Sequence, residues 1–225
     1  YTRTAASRAL IAPFCVRFSV HLEEAERSSP REYSSFNDFF TRKLKPGLRP
    51  LPATADCVVS PADGALSQWG EVTNGRLIQA KGHDFSLGAL LADSPEAAKG
   101  VLANGRFATI YLAPRDYHRV HAPVAFQLRR VVFVPGDLFS VNDRTARTVP
   151  GLYARNERVI LEGICQWGPV AVVLVGALLV GSMEVVGFDL ETIALTTRRP
   201  AALTPAQPIN VELGAEIGRF NMGST

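Results

Sequence analysis

From Cys57 onward the chain consists of short β-branched runs separated by Gly, Pro and Asn, and this pattern constrains the fold more than any other feature. Residues 58–59, 107–112, 128–134, 159–164, 170–175 and 178–186 follow one another in this way, with a last strand near residues 210–213. The spacing predicts a mostly antiparallel sandwich or barrel, because hairpins need a turn every few residues whereas parallel strands need long crossovers. A helical interlude is expected over residues 86–92 and 95–103, and residues 200–208 read as a Pro-rich excursion. The most apolar run, residues 169–181, is too short to cross a bilayer as a helix and is interrupted by Gly176. Its β-branched content predicts two buried strands instead.

The first 52 residues have a different character. Leu10, Phe14, Phe18 and Leu22 recur every fourth position, so residues 3–26 read as helix, with Pro13 able to open a second helix after a short first one. Arg17 and His21 fall near the apolar stripe, which suits either a core face with snorkelling cations or a membrane-interface helix. After a break at residues 28–31, residues 35–44 read as a short amphipathic helix with Ser35 as N-cap. Pro46, Gly47, Pro50 and Pro52 then mark a linker. The expected architecture is α+β: N-terminal amphipathic helices on a mainly antiparallel β sandwich or barrel. Its expected division is a helical docking segment and linker over residues 1–52 and a β-rich core over residues 53–225.

Net charge is +3, too small for a nucleic-acid footprint, and no nucleic-acid partner is expected. Residues 1–50 hold nine Lys or Arg against five acids, which leaves the remainder close to neutral. A basic end beside apolar residues suits an anionic membrane surface, and a solvated face fits the charge equally well. Cys15, Cys57 and Cys165 are odd in number and far apart, so no disulfide framework follows and a reducing compartment fits. The sequence opens on Tyr1 and shows no basic stretch, apolar core and small-residue cleavage site near it, so a soluble or peripheral protein is expected. No dinucleotide-binding, phosphate-loop or nucleophile-elbow motif occurs. The His118–His121 pair lacks the further ligands a metal would need, and no metal is expected.

Three segments concentrate chemistry. Ser60-Pro-Ala-Asp-Gly64 puts Asp63 in a tight turn, where a plain Asx-turn is the simplest account. Pro114-Arg-Asp-Tyr-His-Arg-Val-His121 packs two imidazoles, two guanidiniums and a phenol into eight residues, which also suits a polar loop with satisfied histidines. Gly218-Arg-Phe-Asn-Met-Gly-Ser-Thr225 ends on a Gly-Ser bond and by itself reads as a frayed tail. Taken in order, these segments resemble the phosphatidylserine decarboxylases of the bacterial membrane-associated type. The resemblance extends through FNDFFTRKLKPGLRP (36–50), QAKGHDFSL (79–87), YLAPRDYHRVHAP (111–123), VPGDLFSVN (134–142), ARNERVI (154–160) and VGALLVGSME (175–184). The family's cleavage motif usually has Leu where this chain has Met222, a swap conservative in volume and polarity.

The resemblance implies a proenzyme that cleaves itself between Gly223 and Ser224. Asp63 is then the orienting acid, His121 the base and Ser224 the nucleophile, which ends as a pyruvoyl cofactor made from the chain itself. A serine hydroxyl after glycine can attack the preceding carbonyl once a base takes its proton, and glycine leaves that approach uncrowded. The pyruvoyl ketone condenses with the substrate amine and accepts electrons as carbon dioxide leaves. His118 or His121 returns the proton, or His118 contacts the substrate phosphate when protonated, while His83 receives no task. The implied partners are phosphatidylserine in an anionic membrane and a small C-terminal subunit that continues past Thr225, and a homo-oligomer is compatible. The implied location is peripheral, on the cytoplasmic face of the bacterial inner membrane, with Arg3, Arg8 and Arg17 facing lipid. A decarboxylase for a related serine phospholipid, a noncatalytic lipid-binding relative and a serine hydrolase built on Asp63, His121 and Ser224 are the rival readings.

Overall fold

The computed structural model describes residues 4–54, 56–80, 82–92, 100 and 102–222. The strands are β1 (Ala65–Glu71), β2 (Arg76–Ala80), β3 (His83–Ser86), β4 (Arg106–Tyr111), β5 (Arg119–His121) and β6 (Phe126–Val134). They continue with β7 (Arg158–Cys165), β8 (Gly168–Val175), β9 (Ser182–Val185), β10 (Ala201–Leu203), β11 (Ile209–Val211) and β12 (Glu216–Asn221). The α-helices are α1 (Ile11–Phe18), α2 (Phe36–Phe40), α3 (Leu87–Leu90), α4 (Asp143–Thr148), α5 (Leu152–Arg155) and α6 (Leu190–Thr196), joined by short 3-10 turns. The architecture is α+β, and its strand pairings within sheets are antiparallel.

A five-stranded sheet forms the centre in the order β10-β6-β7-β8, with β11 beside β10 along the same edge of β6. Side chains alternate across it. Val131 and Phe133 of β6 and Val159 and Leu161 of β7 meet Val120, Met183, Val185 and Ile217 from the sheet β5-β12-β9. Val132, Val134 and Ile160 face the other way, onto Leu77, Phe85, Leu90, Ala146 and Leu152 from the β2–β3 hairpin and α3 to α5. Where the sheet is buried on both faces it has no polar side to alternate with, which is why Val131–Val134 of β6, Val159–Leu161 of β7 and β8 are apolar runs, while the start of β6 alternates with exposed Gln127 and Arg129. The result is a sandwich; the sheets do not close into a barrel.

Several sequence expectations shift in the structure. The helix expected over residues 3–26 is a 3-10 turn at Ala5–Leu10 followed by α1, and it ends where Ser19 turns left-handed at φ 55°. Its apolar stripe divides: Ile11, Phe14 and Cys15 pack inward, while Leu10 and Val16 stay exposed, Val16 at 84%. The second helix starts at Ser35 as expected, its hydroxyl accepting from the Asp38 N–H at 3.1 Å. It stops after one turn at Thr41, which leaves helical geometry at φ −92° and ψ 24° and whose hydroxyl bonds back to the Asn37 carbonyl at 2.9 Å. Residues 58–59 are not a strand; Val59 N–H donates to Pro123 O at 2.9 Å. The Pro-rich excursion contains β10, an edge strand that prolines can flank without losing a ladder bond. The chain's last described strand is β12 rather than the run near residue 211. Part of the expected interlude, residues 93–99 and 101, lies outside the described residues, and α3 accounts for its start.

Arg158 begins β7 buried, and among the described residues it has no carboxylate partner. It donates to the carbonyls of Leu90, Ala89, Ala154 and Asn156 at 2.6, 2.6, 2.7 and 3.0 Å, tying α3 and α5 to the central sheet. Burial pulls its pKa down to about 10, so the guanidinium remains charged at neutral pH. Arg158→Leu strands these carbonyls in an apolar layer and is expected to lower stability by about 3–5 kcal/mol, read as a fall in the urea midpoint. An unchanged midpoint would show that the carbonyl cage contributes nothing.

Candidate active site

The site is assembled by α2. Phe36, Phe39 and Phe40 are buried; the Phe36 and Phe39 rings meet Phe14 and Tyr33 edge-on, with centroids 5.0 to 5.8 Å apart, and Phe40 stacks on Phe36. Such contacts between aromatic rings hold a one-turn helix that propensity alone would not stabilise. The end of the helix grips residues 113–121. The Phe40 ring lies 3.8 Å from the His118 ring, Thr41 O accepts from Arg119 Nε at 2.9 Å, and Arg42 donates to Arg115 O at 2.7 Å and Asp116 O at 3.2 Å. Arg119 also pairs with Glu216 at 2.6 Å, which ties α2, β5 and β12 together.

The two histidines sit in different surroundings. His118 is 3% exposed, and its Nδ1 faces Asp116 O at 2.8 Å. A carbonyl only accepts, so the ring proton is on Nδ1 and Nε2 carries the lone pair. Burial, with the Arg42 charge adding to it, pulls the His118 pKa down to about 3. The ring is therefore uncharged at neutral pH, which removes the expectation that His118 meets a phosphate as a cation. His121 places Nδ1 against Gly214 O at 2.8 Å and Nε2 against the Tyr117 hydroxyl at 2.9 Å. The Gly214 carbonyl fixes the proton on Nδ1, which makes Nε2 the nitrogen able to act as a base. Burial pushes the Tyr117 pKa up to about 12, so a phenol rather than a phenolate faces Nε2.

Asp63 reaches the same corner through the main chain, where His121 N–H donates to Pro61 O at 2.8 Å. Its carboxylate takes Arg49 Nε at 2.9 Å, and Arg49 also holds Glu24 at 2.8 Å. The structure thus brings Asp63 and His121 together without joining their side chains, and the Gly214 carbonyl occupies the orienting position on Nδ1. Gly214 has φ +75°, and a Cβ there would lie 2.7 Å from Leu51. Asp63 also borders an open cleft of about 340 Å³ with Gly64, Tyr111, Ala113, Arg115 and Asp116. Among the described residues no group of three or more His, Cys, Asp or Glu could hold a metal ion.

β12 carries the chain past these histidines. Gly218 and Arg219 pair with Val120 and Arg119, and Phe220 N–H donates to His118 O at 2.9 Å. Gly223 and Ser224 lie outside the described residues. Sequence reasoning did not assign Tyr117, Gly214 or Arg49 a part. Tyr117 stood within the dense 114–121 segment, but a carbonyl partner such as Gly214 O leaves no signature in residue type.

Two outcomes follow from this geometry. Because His118 is held well below its ordinary 6.5, its contribution to stability is fully present above that pH and is lost as pH falls toward 3. The stability difference between wild type and His118→Gln is expected to shrink by about 2 kcal/mol from pH 8 to pH 5, measured by urea unfolding at each pH. A pH-independent difference would contradict the buried, neutral ring. Gly214→Ala forces a left-handed alanine against Leu51, with an expected cost of about 1–3 kcal/mol in urea unfolding. An unperturbed variant would show that this turn is not tight.

Residues 36–225 match the family model described as phosphatidylserine decarboxylase, a match that begins at the first residue of α2. The chain is 52% identical over 221 residues to a phosphatidylserine decarboxylase proenzyme of Bordetella avium, covering 98% of this chain and 75% of the relative. It is 48% identical over 226 residues to one of Shewanella woodyi, covering 96% and 76%. It is 52% identical over 218 residues to one of Bordetella pertussis, covering 96% and 73%. The chain belongs to the phosphatidylserine decarboxylase family.

Proposed function

We propose that this chain is the proenzyme of a pyruvoyl-dependent decarboxylase that converts phosphatidylserine to phosphatidylethanolamine and carbon dioxide. It matures by cutting itself between Gly223 and Ser224. The observation that carries this reading is the pairing of β12 with β5, because the strand that runs on to Gly223 and Ser224 lies beside His118 and His121. Nε2 of His121 takes the proton of the Ser224 hydroxyl, whose oxygen attacks the Gly223 carbonyl; a C–O bond forms as the C–N bond breaks. Loss of the Ser224 α-proton then expels the Gly223 carboxylate. Hydrolysis by water releases ammonia and leaves a ketone on residue 224. Asp63, in the turn bonded to the His121 main chain, offsets the positive charge that His121 gains.

The groups at the end of β12 suit such a ketone: Asn37 and Asn221 are amides and His118 is an uncharged imidazole, none of which condenses with it. The pyruvoyl group supplies the carbonyl that captures the substrate amine and the sink for electrons released with carbon dioxide. His118 Nε2 offers the amine an acceptor, and His121 holds the proton that replaces the lost carboxylate.

A diacyl substrate stays in its bilayer, so the enzyme docks peripherally on an anionic surface, in this reading the cytoplasmic face of a bacterial inner membrane. The exposed Val16 and Leu10 beside Arg8 and Arg17 support that reading. No helix among the described residues is long and apolar enough to cross a membrane.

The test is the intact denatured mass of the protein made from its complete reading frame. Two chains are expected, the larger ending at Gly223 and the smaller lighter by one ammonia than a serine start. Ser224→Ala is expected to stay whole, and His121→Gln to split at least about 100-fold more slowly. A wild-type chain that stays whole would overturn the reading.

A further inference from the structure

We propose that Asn37 is a positioning residue for self-cleavage, its side-chain amide fixing the main chain at Met222, one residue before Gly223. This rests on the reading that Gly223–Ser224 is the bond cut. Sheet pairing of β12 ends with Asn221 opposite Ser182. The next N–H, that of Met222, is carried instead by Asn37 Oδ1 at 2.8 Å. The other half of the same amide is also engaged: Asn37 Nδ2 donates to Asn221 Oδ1 at 3.0 Å. Asn221 Nδ2 donates in turn to Glu184 Oε1 at 2.9 Å, and Glu184 Oε2 takes Arg219 Nε at 2.7 Å.

The direction of each bond follows from the one before it. A carboxylate only accepts, so Glu184 forces the NH2 of Asn221 toward itself and leaves the Asn221 oxygen facing Asn37. That oxygen needs a donor, which turns the NH2 of Asn37 toward it and its oxygen toward Met222. Asn221 is 1% exposed, so water does not substitute for these partners. The far end of the relay is α2, which the burial of Phe36, Phe39 and Phe40 holds in place. A relay with one permitted orientation, mounted on a fixed turn, is what an intramolecular attack requires. A misplacement of about 1 Å slows such a reaction on the order of 100-fold.

The relay supplies its own test. Asn37→Asp keeps an acceptor for Met222 but sets a carboxylate oxygen against the Asn221 oxygen. Adding Glu184→Gln lets Asn221 turn over: its NH2 then donates to the new carboxylate, its oxygen accepts from the new glutamine amide, and Arg219 keeps an acceptor. Total charge is unchanged.

The full-length chain is synthesised in vitro and its splitting followed by intact mass, with the melting temperature of each variant measured in a Ser224→Ala background. Asn37→Asp is expected to split about tenfold or more slowly than wild type. The double variant should return to within about threefold of wild type, with melting temperatures that do not track these rates. Asn37→Asp splitting at the wild-type rate, or a double variant no faster than Asn37→Asp, overturns the proposal. If the Asn37→Asp precursor does not fold, Asn37→Ala is read instead: slow splitting supports the proposal, and the wild-type rate overturns it. A wild-type chain that never splits removes the underlying reading instead.

Discussion

One turn of helix, Phe36–Phe40, is the constraint on which the candidate site depends. Its three phenylalanines are buried in the N-terminal aromatic cluster, which fixes the turn without help from length or propensity. Its remaining contacts are polar, and most of them are directed at the site. Asp38 holds Arg27, Asn37 holds Asn221 and Met222, and Thr41 O and Arg42 hold the segment that carries the histidines. Phe40 closes over His118 and contributes to the burial that keeps that ring uncharged. The helical end of the chain thus does structural work at the histidines, whatever else it meets on its outer surface.

The sandwich supplies the second half of this arrangement. The central sheet, buried on both faces, is a rigid floor, and the sheet β5-β12-β9 lies across it with β12 in the middle. A middle strand has ladder partners on both sides, so the run toward Gly223 is held in register by Val120 on one side and Val185 on the other. Two buried arginines of this scaffold are matched by acceptors. Arg119 is shared between Thr41 O and Glu216, and Arg158 is enclosed by carbonyls, so both charges lock neighbouring elements where an apolar residue would only fill space.

Much of this was legible in the sequence, and what was not has a physical reason. The sandwich was readable because two-sided burial leaves apolar runs at Val131–Val134 of β6, Val159–Leu161 of β7 and along β8. Ser35 announced the start of α2, and the density of ionisable groups in residues 114–121 marked the histidines. β12 was invisible: Gly218, Arg219 and Asn221 within it and Gly214 and Gly223 beside it look like a tail, and only its place between two strands makes it one. The partner of His121 could not be read either, because a main-chain carbonyl is the same at every residue. Asp63 invited the orienting role by its type, yet Arg49, fourteen positions upstream, competes for its carboxylate. The 3–26 helix failed at Ser19, where a left-handed residue outweighed the apolar periodicity.

In the proposed reaction Ser224 becomes the electron sink for decarboxylation, at the end of a strand held beside His118 and His121. The most direct measurement is borohydride reduction of the matured full-length protein in vesicles containing phosphatidylserine, followed by the mass of each chain. The smaller chain alone is expected to gain the mass of a reduced lipid adduct, at its first residue. An adduct on the larger chain, or none on either, would contradict it.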